Sequence, residues 1–191
     1  MPEYRRNFVP GGTFFFTLVT WDRQSILIEE AARAALHRAF DEVHAVRPFA
    51  IEAIVLLPNH VHTLWTLPKD DADFSTRWQV IKAKFSRRFS AAGGQEGSAS
   101  PSRVCHGERA IWQRRFWEHT VRDEREFEIL CHYIHYNPVK HGHAACPHSW
   151  PYSSFQKFVN MNRYEPDWNC VCSLAGKSPT IPDVPSQITG E

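Results

Sequence analysis

The stretch Leu56-Leu57-Pro58-Asn59-His60-Val61-His62-Thr63-Leu64-Trp65 constrains the fold of this chain more than any other. One run of β-forming residues enters a Pro-Asn turn and a second leaves it, which specifies an antiparallel hairpin. Side chains alternate across a strand, so His60 and His62 point to one face and Val61 to the other. Two imidazoles on one strand face make half of a metal site, because neutral imidazole is the commonest metal ligand. The chain has 11 histidines, enough for such a pair to arise by chance, so the rest of the sequence must decide its meaning.

Around this hairpin the periodicities alternate. Thr13 to Trp21 (TFFFTLVTW) is β-branched and aromatic, a first strand. Glu29 to Val46 carries Ala32, Leu36, Ala39, Phe40, Val43 and Val46 at helical spacing, ended by Pro48. Phe49 to Leu57 and His60 to Leu67 are the hairpin strands. Phe74 to Ser90 is a second helix with Phe74, Trp78, Ile81, Phe85 and Phe89 on one stripe. Residues 91–109 are Gly/Ser-rich and predict a flexible loop, and Ile111 to Val121 a fourth strand. Asp123 to Asn137 is a third helix, with Asp123 and Glu126 at capping-box-like spacing and Pro138 as its stop. The order predicts an α+β, ferredoxin-like βαββαβ sandwich with an antiparallel sheet and an added C-terminal helix carrying Tyr133. Residues 1–145 form one domain, with 1–12 as an N-terminal arm. Residues 146–172 are a packed extension with a short helix within 149–159, and 173–191 have the composition of a disordered tail.

With 191 residues, 42% of them hydrophobic, the chain can bury a core. No run is long and apolar enough for a transmembrane helix, and the N-terminus lacks the apolar segment of a signal peptide. The five cysteines contain no C-x-x-C, and Cys170 and Cys172 are too close to bridge each other, so a reduced, cytoplasmic protein is expected. Net charge is only +1, yet residues 77 to 115 hold nine Lys/Arg against two Glu. That band suggests a polyanionic partner on one face, although a solvated helix face has the same signature. His141, His143, Cys146 and His148 form a Cys/His cluster whose spacing is irregular for a zinc finger, and Cys105-His106 has no partners at zinc spacing.

Tyr133 and Asn137 lie four residues apart and share a helix face. An amide oxygen suits a hard cation, and a tyrosine beside a metal-bound phosphate suits nucleophilic attack. Periodicity alone favours a core-edge tyrosine with its hydroxyl in water over a catalytic one. Tyr136 lies on a different part of the helix surface, about 100° from Asn137 against about 40° for Tyr133. His132 and His135 are further candidates for proton carriers.

Leu57-Pro58-Asn59-His60-Val61-His62, Trp112-Gln113-Arg114, Tyr133-Ile134-His135-Tyr136-Asn137-Pro138-Val139-Lys140-His141-Gly142 and Trp150-Pro151-Tyr152-Ser153-Ser154 together resemble the REP-associated tyrosine transposases. These are relatives of the single-tyrosine HUH transposases of insertion sequences, and the resemblance covers most of residues 4 to 159. It implies His60, His62 and Asn137 as ligands of Mg2+ or Mn2+, and Tyr133 as nucleophile. It implies a metal-dependent single-stranded DNA endonuclease and strand transferase. Such an enzyme cuts beside hairpins of REP-like repeats, leaves the tyrosine on the 5′ phosphate and frees a 3′ hydroxyl. Arg5, Arg6, Lys82, Lys84, Arg87, Arg88, Arg114 and Arg115 are then the expected DNA contacts, read through phosphates and shape. A non-catalytic hairpin-DNA or RNA-binding protein on the same fold is the alternative. A two-histidine phosphoesterase is disfavoured, because no second H-x-[ST] partner appears. Monomer and homodimer both stay open.

Overall fold

The computed structural model describes residues 7–170, 184 and 186–189. Four strands, β1 (Thr13–Val19), β2 (Ala50–Leu56), β3 (His60–Thr66) and β4 (Trp117–Thr120), form one sheet in the order β2-β3-β1-β4. Every pairing is antiparallel, with Thr17 opposite His62 and Val19 opposite His60. Interleaved with α1 (Glu30–Val46) and α2 (Phe74–Ala91), this is the expected βαββαβ sandwich. A short helix, α3 (Pro101–Cys105), precedes β4; α4 (Glu124–Lys140) and α5 (Phe155–Asn160) follow it, and α6 (Ser186–Thr189) comes last.

Strand alternation divides the aromatic run of β1 between two cores. Phe14, Phe16 and Leu18 face α1 and α2, where Trp65 stacks on Trp78 with ring centroids 4.0 Å apart. Such a pair adds about 0.5–1.5 kcal/mol beyond its buried area. Phe15 faces the other way with Leu64, and meets Leu130, Tyr133 and Ile134 of α4, behind which lie Phe155 and Phe158 of α5. The sheet is therefore covered on both faces, and His60 and His62 project toward α4.

Several expectations need correction. The fourth strand is only four residues long. Trp112 makes a lone bridge to Thr20 and buries its ring against Phe85, because core packing takes the residues that a longer strand would have paired. The Gly/Ser-rich 91–109 loop contains α3 and is anchored by Arg103. This buried guanidinium donates to the carbonyls of Arg109 (2.7 Å) and Trp112 (2.9 Å) and lies 4.0 Å from the Trp21 ring centroid. Pro138 does not stop α4. The helix runs on to Lys140, and His141 N–H donates to Asn137 O at 3.0 Å. Residues 133–138 are buried between sheet and extension, and that packing outweighs the missing proline N–H and the restriction on the residue before it. Cys146 and Cys170 are joined as a disulfide, Cα atoms 4.3 Å apart, where reduced cysteines were expected; their spacing of 24 residues is silent about contact. In the expected disordered tail, 186–189 form α6; the arm at 1–6 and most of 171–191 lie outside the described residues.

Candidate active site

The site is assembled from β1, β3 and α4. His60 and His62 are 3% and 0% exposed, with ring centroids 4.8 Å apart. Each is oriented through Nδ1. His60 Nδ1–H donates to Asn59 Oδ1 at 2.6 Å, so the turn residue that closes the hairpin also aims the first imidazole. Thr17 Oγ1 donates to the Thr189 carbonyl and accepts from His62 Nδ1–H at 2.9 Å. With Nδ1 engaged in each ring, Nε2 is the nitrogen that would serve a metal, the arrangement by which outer partners fix a ligating tautomer.

Across the gap, the Tyr133 ring lies 5.3 Å from that of His62 and 6.0 Å from Phe15. Asn137, one turn on, is fully buried, and neither its Oδ1 nor its Nδ2 has a hydrogen-bond partner among the described residues. A buried amide without partners costs roughly 1–3 kcal/mol. That cost is explained if the oxygen is a ligand. Among the described residues no third His, Cys or carboxylate clusters with the two histidines. Two imidazoles and one amide oxygen fit a hard or borderline divalent cation with positions left for substrate.

Sequence reasoning missed four contributors. Asn59 and Thr17 act through the histidines. Lys140 Nζ donates to Tyr133 Oη at 3.2 Å and lies 4.8 Å from its ring centroid. Seven residues make nearly two full turns, so Lys140 returns to the Tyr133 face only because the helix passes Pro138. The His141 ring stands 5.3 Å from that of His60. The i, i+7 spacing of Tyr133 and Lys140 was the one available signal.

Other candidates fall away. His135 faces the opposite side of α4, with Nδ1 3.1 Å from Tyr164 Oη and Nε2 2.8 Å from Ser154 Oγ. Burial, with a lesser contribution from His132, pushes its pKa down to about 3. His132 sits against Tyr164 and Trp168, and burial lowers its pKa too. Tyr136 is buried like Tyr133, with its pKa raised by burial, and it lies about 100° around the helix from Asn137, against about 40° for Tyr133.

The expected DNA contacts separate into groups. Lys82, Arg87 and Arg114 line one groove of about 600 Å³ with Arg109 and Gln113. Gln113 N–H donates to Val19 O at 2.9 Å, and Val19 pairs with His60, so one wall of the groove is tied to the His60 end of the sheet. Arg114 pairs there with Glu108 at 2.6 Å, and Lys84 and Arg88 pair with Glu42 of α1 outside the groove. Arg115 is exposed outside the groove, and Arg5 and Arg6 lie outside the described residues. Arg77, part of the basic band, is 1% exposed and spends its donors on Asp71 and the carbonyls of Arg47, Asp73 and Pro48.

Comparison with known proteins gives one answer. The family described as "Transposase IS200 like" matches residues 11–137. The REP-associated tyrosine transposase of Escherichia coli (strain K12) is 40% identical over 168 residues, 88% of this chain and 91% of that protein. A putative REP-associated tyrosine transposase of Haemophilus influenzae is 38% identical over 168 residues, covering 88% and 93%. A solved structure of a REP-associated tyrosine transposase bound to a REP hairpin shares 37% identity over 95% of this chain and 100% of that one, with a TM-score of 0.73. With its HUH strand, its tyrosine helix and these relatives, the chain belongs to the IS200-like transposases and, among them, to the REP-associated tyrosine transposases.

Proposed function

We propose that this protein cuts and rejoins single-stranded DNA beside hairpins of REP-like repeats, with Tyr133 as nucleophile and a divalent cation held by His60, His62 and Asn137. The observation that carries this reading is the orphaned Asn137 amide, one helical turn from Tyr133 and across from two imidazoles that present Nε2. Mg2+ or Mn2+ there supplies charge neutralisation at the scissile phosphate.

The remaining steps belong to the chain's own groups. Tyr133 Oη attacks phosphorus; the bond to the 3′ oxygen breaks, leaving a 5′-phosphotyrosine and a free 3′ hydroxyl. Phe15 and His62 both meet the ring in T-shaped contacts and restrict its approach. The Lys140 ammonium lies beside the phenol oxygen, where it favours negative charge before attack and when the tyrosine leaves. Attack by the 3′ hydroxyl of a second strand reverses the step, so no high-energy cofactor is needed. The groove containing Lys82, Arg87 and Arg114 receives the DNA backbone and leads it to the His60 end of the sheet.

The test is a denaturing gel with 5′- and 3′-labelled single strands carrying the repeats that flank the gene, with Mg2+, Mn2+ or EDTA. A protein-linked band is expected only with the 3′ label and only with metal. Tyr133→Phe should remove it while hairpin binding persists; cutting that survives this substitution sinks the assignment. Lys140→Met should slow adduct formation by about 100-fold, the loss typical of one donor to a developing oxyanion, with hairpin affinity unchanged. A mobility shift with no adduct on any flanking repeat would favour the non-catalytic binding protein.

A further inference from the structure

Outside the site just described, the Cys/His cluster of the sequence is redistributed by the fold. His141 turns toward His60, and His143 stacks on Trp150 with centroids 5.5 Å apart. Cys146 and His148 are joined instead by Cys170, 24 residues further along. The two sulfurs and one ring nitrogen all lie within 4.8 Å of one another, and this is the one such trio of His, Cys or carboxylate groups among the described residues.

We propose that Cys146, His148 and Cys170 form a second metal site, specific for a borderline-soft divalent ion of the zinc class. Three observations support it. First, the donors are thiolate and imidazole, the set that suits zinc and not magnesium. Second, a disulfide needs no histidine, yet His148 offers a ring nitrogen within 4.8 Å of both sulfurs. Third, local structure delivers the ligands. Pro147 opens a 3-10 turn (Pro147–Ser149) immediately after Cys146, and Asn169, at φ 48°, turns the chain so that Cys170 N–H donates to Asp167 O at 3.0 Å. Zn–S bonds of about 2.3 Å and Zn–N bonds of about 2.0 Å place tetrahedral donors roughly 3.5–3.8 Å apart, within reach of small side-chain rotations. The two sulfurs are 3% and 1% exposed as residues, and His148 is exposed, so the ion is entered from the histidine side.

On binding, each thiol gives its proton to solvent and the fourth position takes water or a further donor. Bridge and metal use the same two sulfurs and exclude each other. The ion would fasten the chain just beyond α4, where Ala144 N–H donates to Pro138 O, to the end of the extension. That extension presses Tyr164 and Trp168 against His132 on the back of the tyrosine helix. The site is therefore structural, remote in chemistry from the Mg2+ or Mn2+ position.

The experiment uses the full chain purified under reducing conditions without chelator. Elemental analysis should give one zinc per chain, retained in His60→Ala/His62→Ala and in Cys105→Ser. Cys146→Ser and Cys170→Ser should lose it. His148→Ala, at an exposed position that the fold tolerates, should weaken Zn2+ binding at least about tenfold, since even a residue that only orients a ligand costs about 10- to 100-fold. Cobalt substitution should give thiolate-to-metal absorption that vanishes in Cys146→Ser. Zinc lost in the His60/His62 variant but kept in Cys170→Ser, or two unreactive sulfurs and no metal in the reduced protein, would overturn the proposal.

Discussion

Asn59 and Thr17 touch no DNA in the proposed reaction, yet each fixes which nitrogen of a histidine faces the site. Asn59→Ala and Thr17→Val remove that constraint without removing a ligand. Each should lower Mn2+ affinity by about 10- to 100-fold, read by metal titration of the DNA-free protein, and an unchanged affinity in both would refute the orienting role. His135 bears on stability instead. Its pKa falls to about 3 because burial penalises its charged form, while in the unfolded chain it stays near 6.5. The unfolded state therefore binds the extra proton, so the contribution is complete above pH 6.5 and is lost as pH falls toward 3. Between those limits stability should drop by up to about 1.4 kcal/mol per pH unit, and His135→Gln should flatten that slope in urea titrations at stepped pH.

At the level of elements, α4 carries the tyrosine and its entry is held by Glu126. Burial raises the pKa of this carboxyl, but hydrogen bonds from the Arg122 side chain and backbone and from His119 outweigh it, holding it at about 2. A depressed carboxylate stabilises above its unfolded value, near 4.5, and loses that contribution as pH falls through about 2. Arg122 is 71% exposed, so solvent screening reduces the value to roughly 1–3 kcal/mol. Glu126→Gln should cost about that much at pH 7 and little at pH 2, measured by thermal unfolding. The start of α4 was legible from Asp123 and Glu126: the Asp123 side chain accepts from Glu126 N–H, and the Glu126 carboxylate reaches back to Arg122 N–H. Its end was not, because Pro138 and Asn137 are poor helix residues locally and only burial on both sides of the helix reveals the last turn. The same limit explains the fourth strand: Ile111 to Val121 has β-forming composition throughout, while only Trp117–Thr120 find a partner along β1. His60, His62, Tyr133 and Asn137 were legible because strand period two and helix period 3.6 each place a pair on one face. Asn59, Thr17 and the Cys146–His148–Cys170 trio were not, since their partners come from separate elements.

For the whole molecule, the basic band divides by what surrounds each charge. Lys84 and Arg88 are neutralised by Glu42 across the α1–α2 contact, Arg77 is consumed in the core, and Lys82, Arg87 and Arg114 share the groove, where Arg114 pairs with Glu108. A net charge of +1 gives no general attraction to DNA, so hairpin affinity must come from that local arrangement. Each phosphate contact removed lowers the salt dependence of binding by about one unit of slope. Arg87→Ala should weaken hairpin binding evenly across sequences and reduce the slope of log K against log salt by about 0.7–0.9, whereas Arg114→Ala should change it less, because Glu108 already pairs that guanidinium. Lys84→Ala and Arg88→Ala should leave the slope nearly unchanged, since their partner is already a carboxylate. Lys82 is intermediate: its ammonium donates to the carbonyls of Gln113 (2.6 Å) and Arg114 (3.1 Å), so its removal should also disturb the groove wall. Equal slopes for Arg87→Ala and Arg88→Ala, measured by fluorescence anisotropy between low and moderate salt, would place the DNA along the α1–α2 face and away from the path that ends at His60.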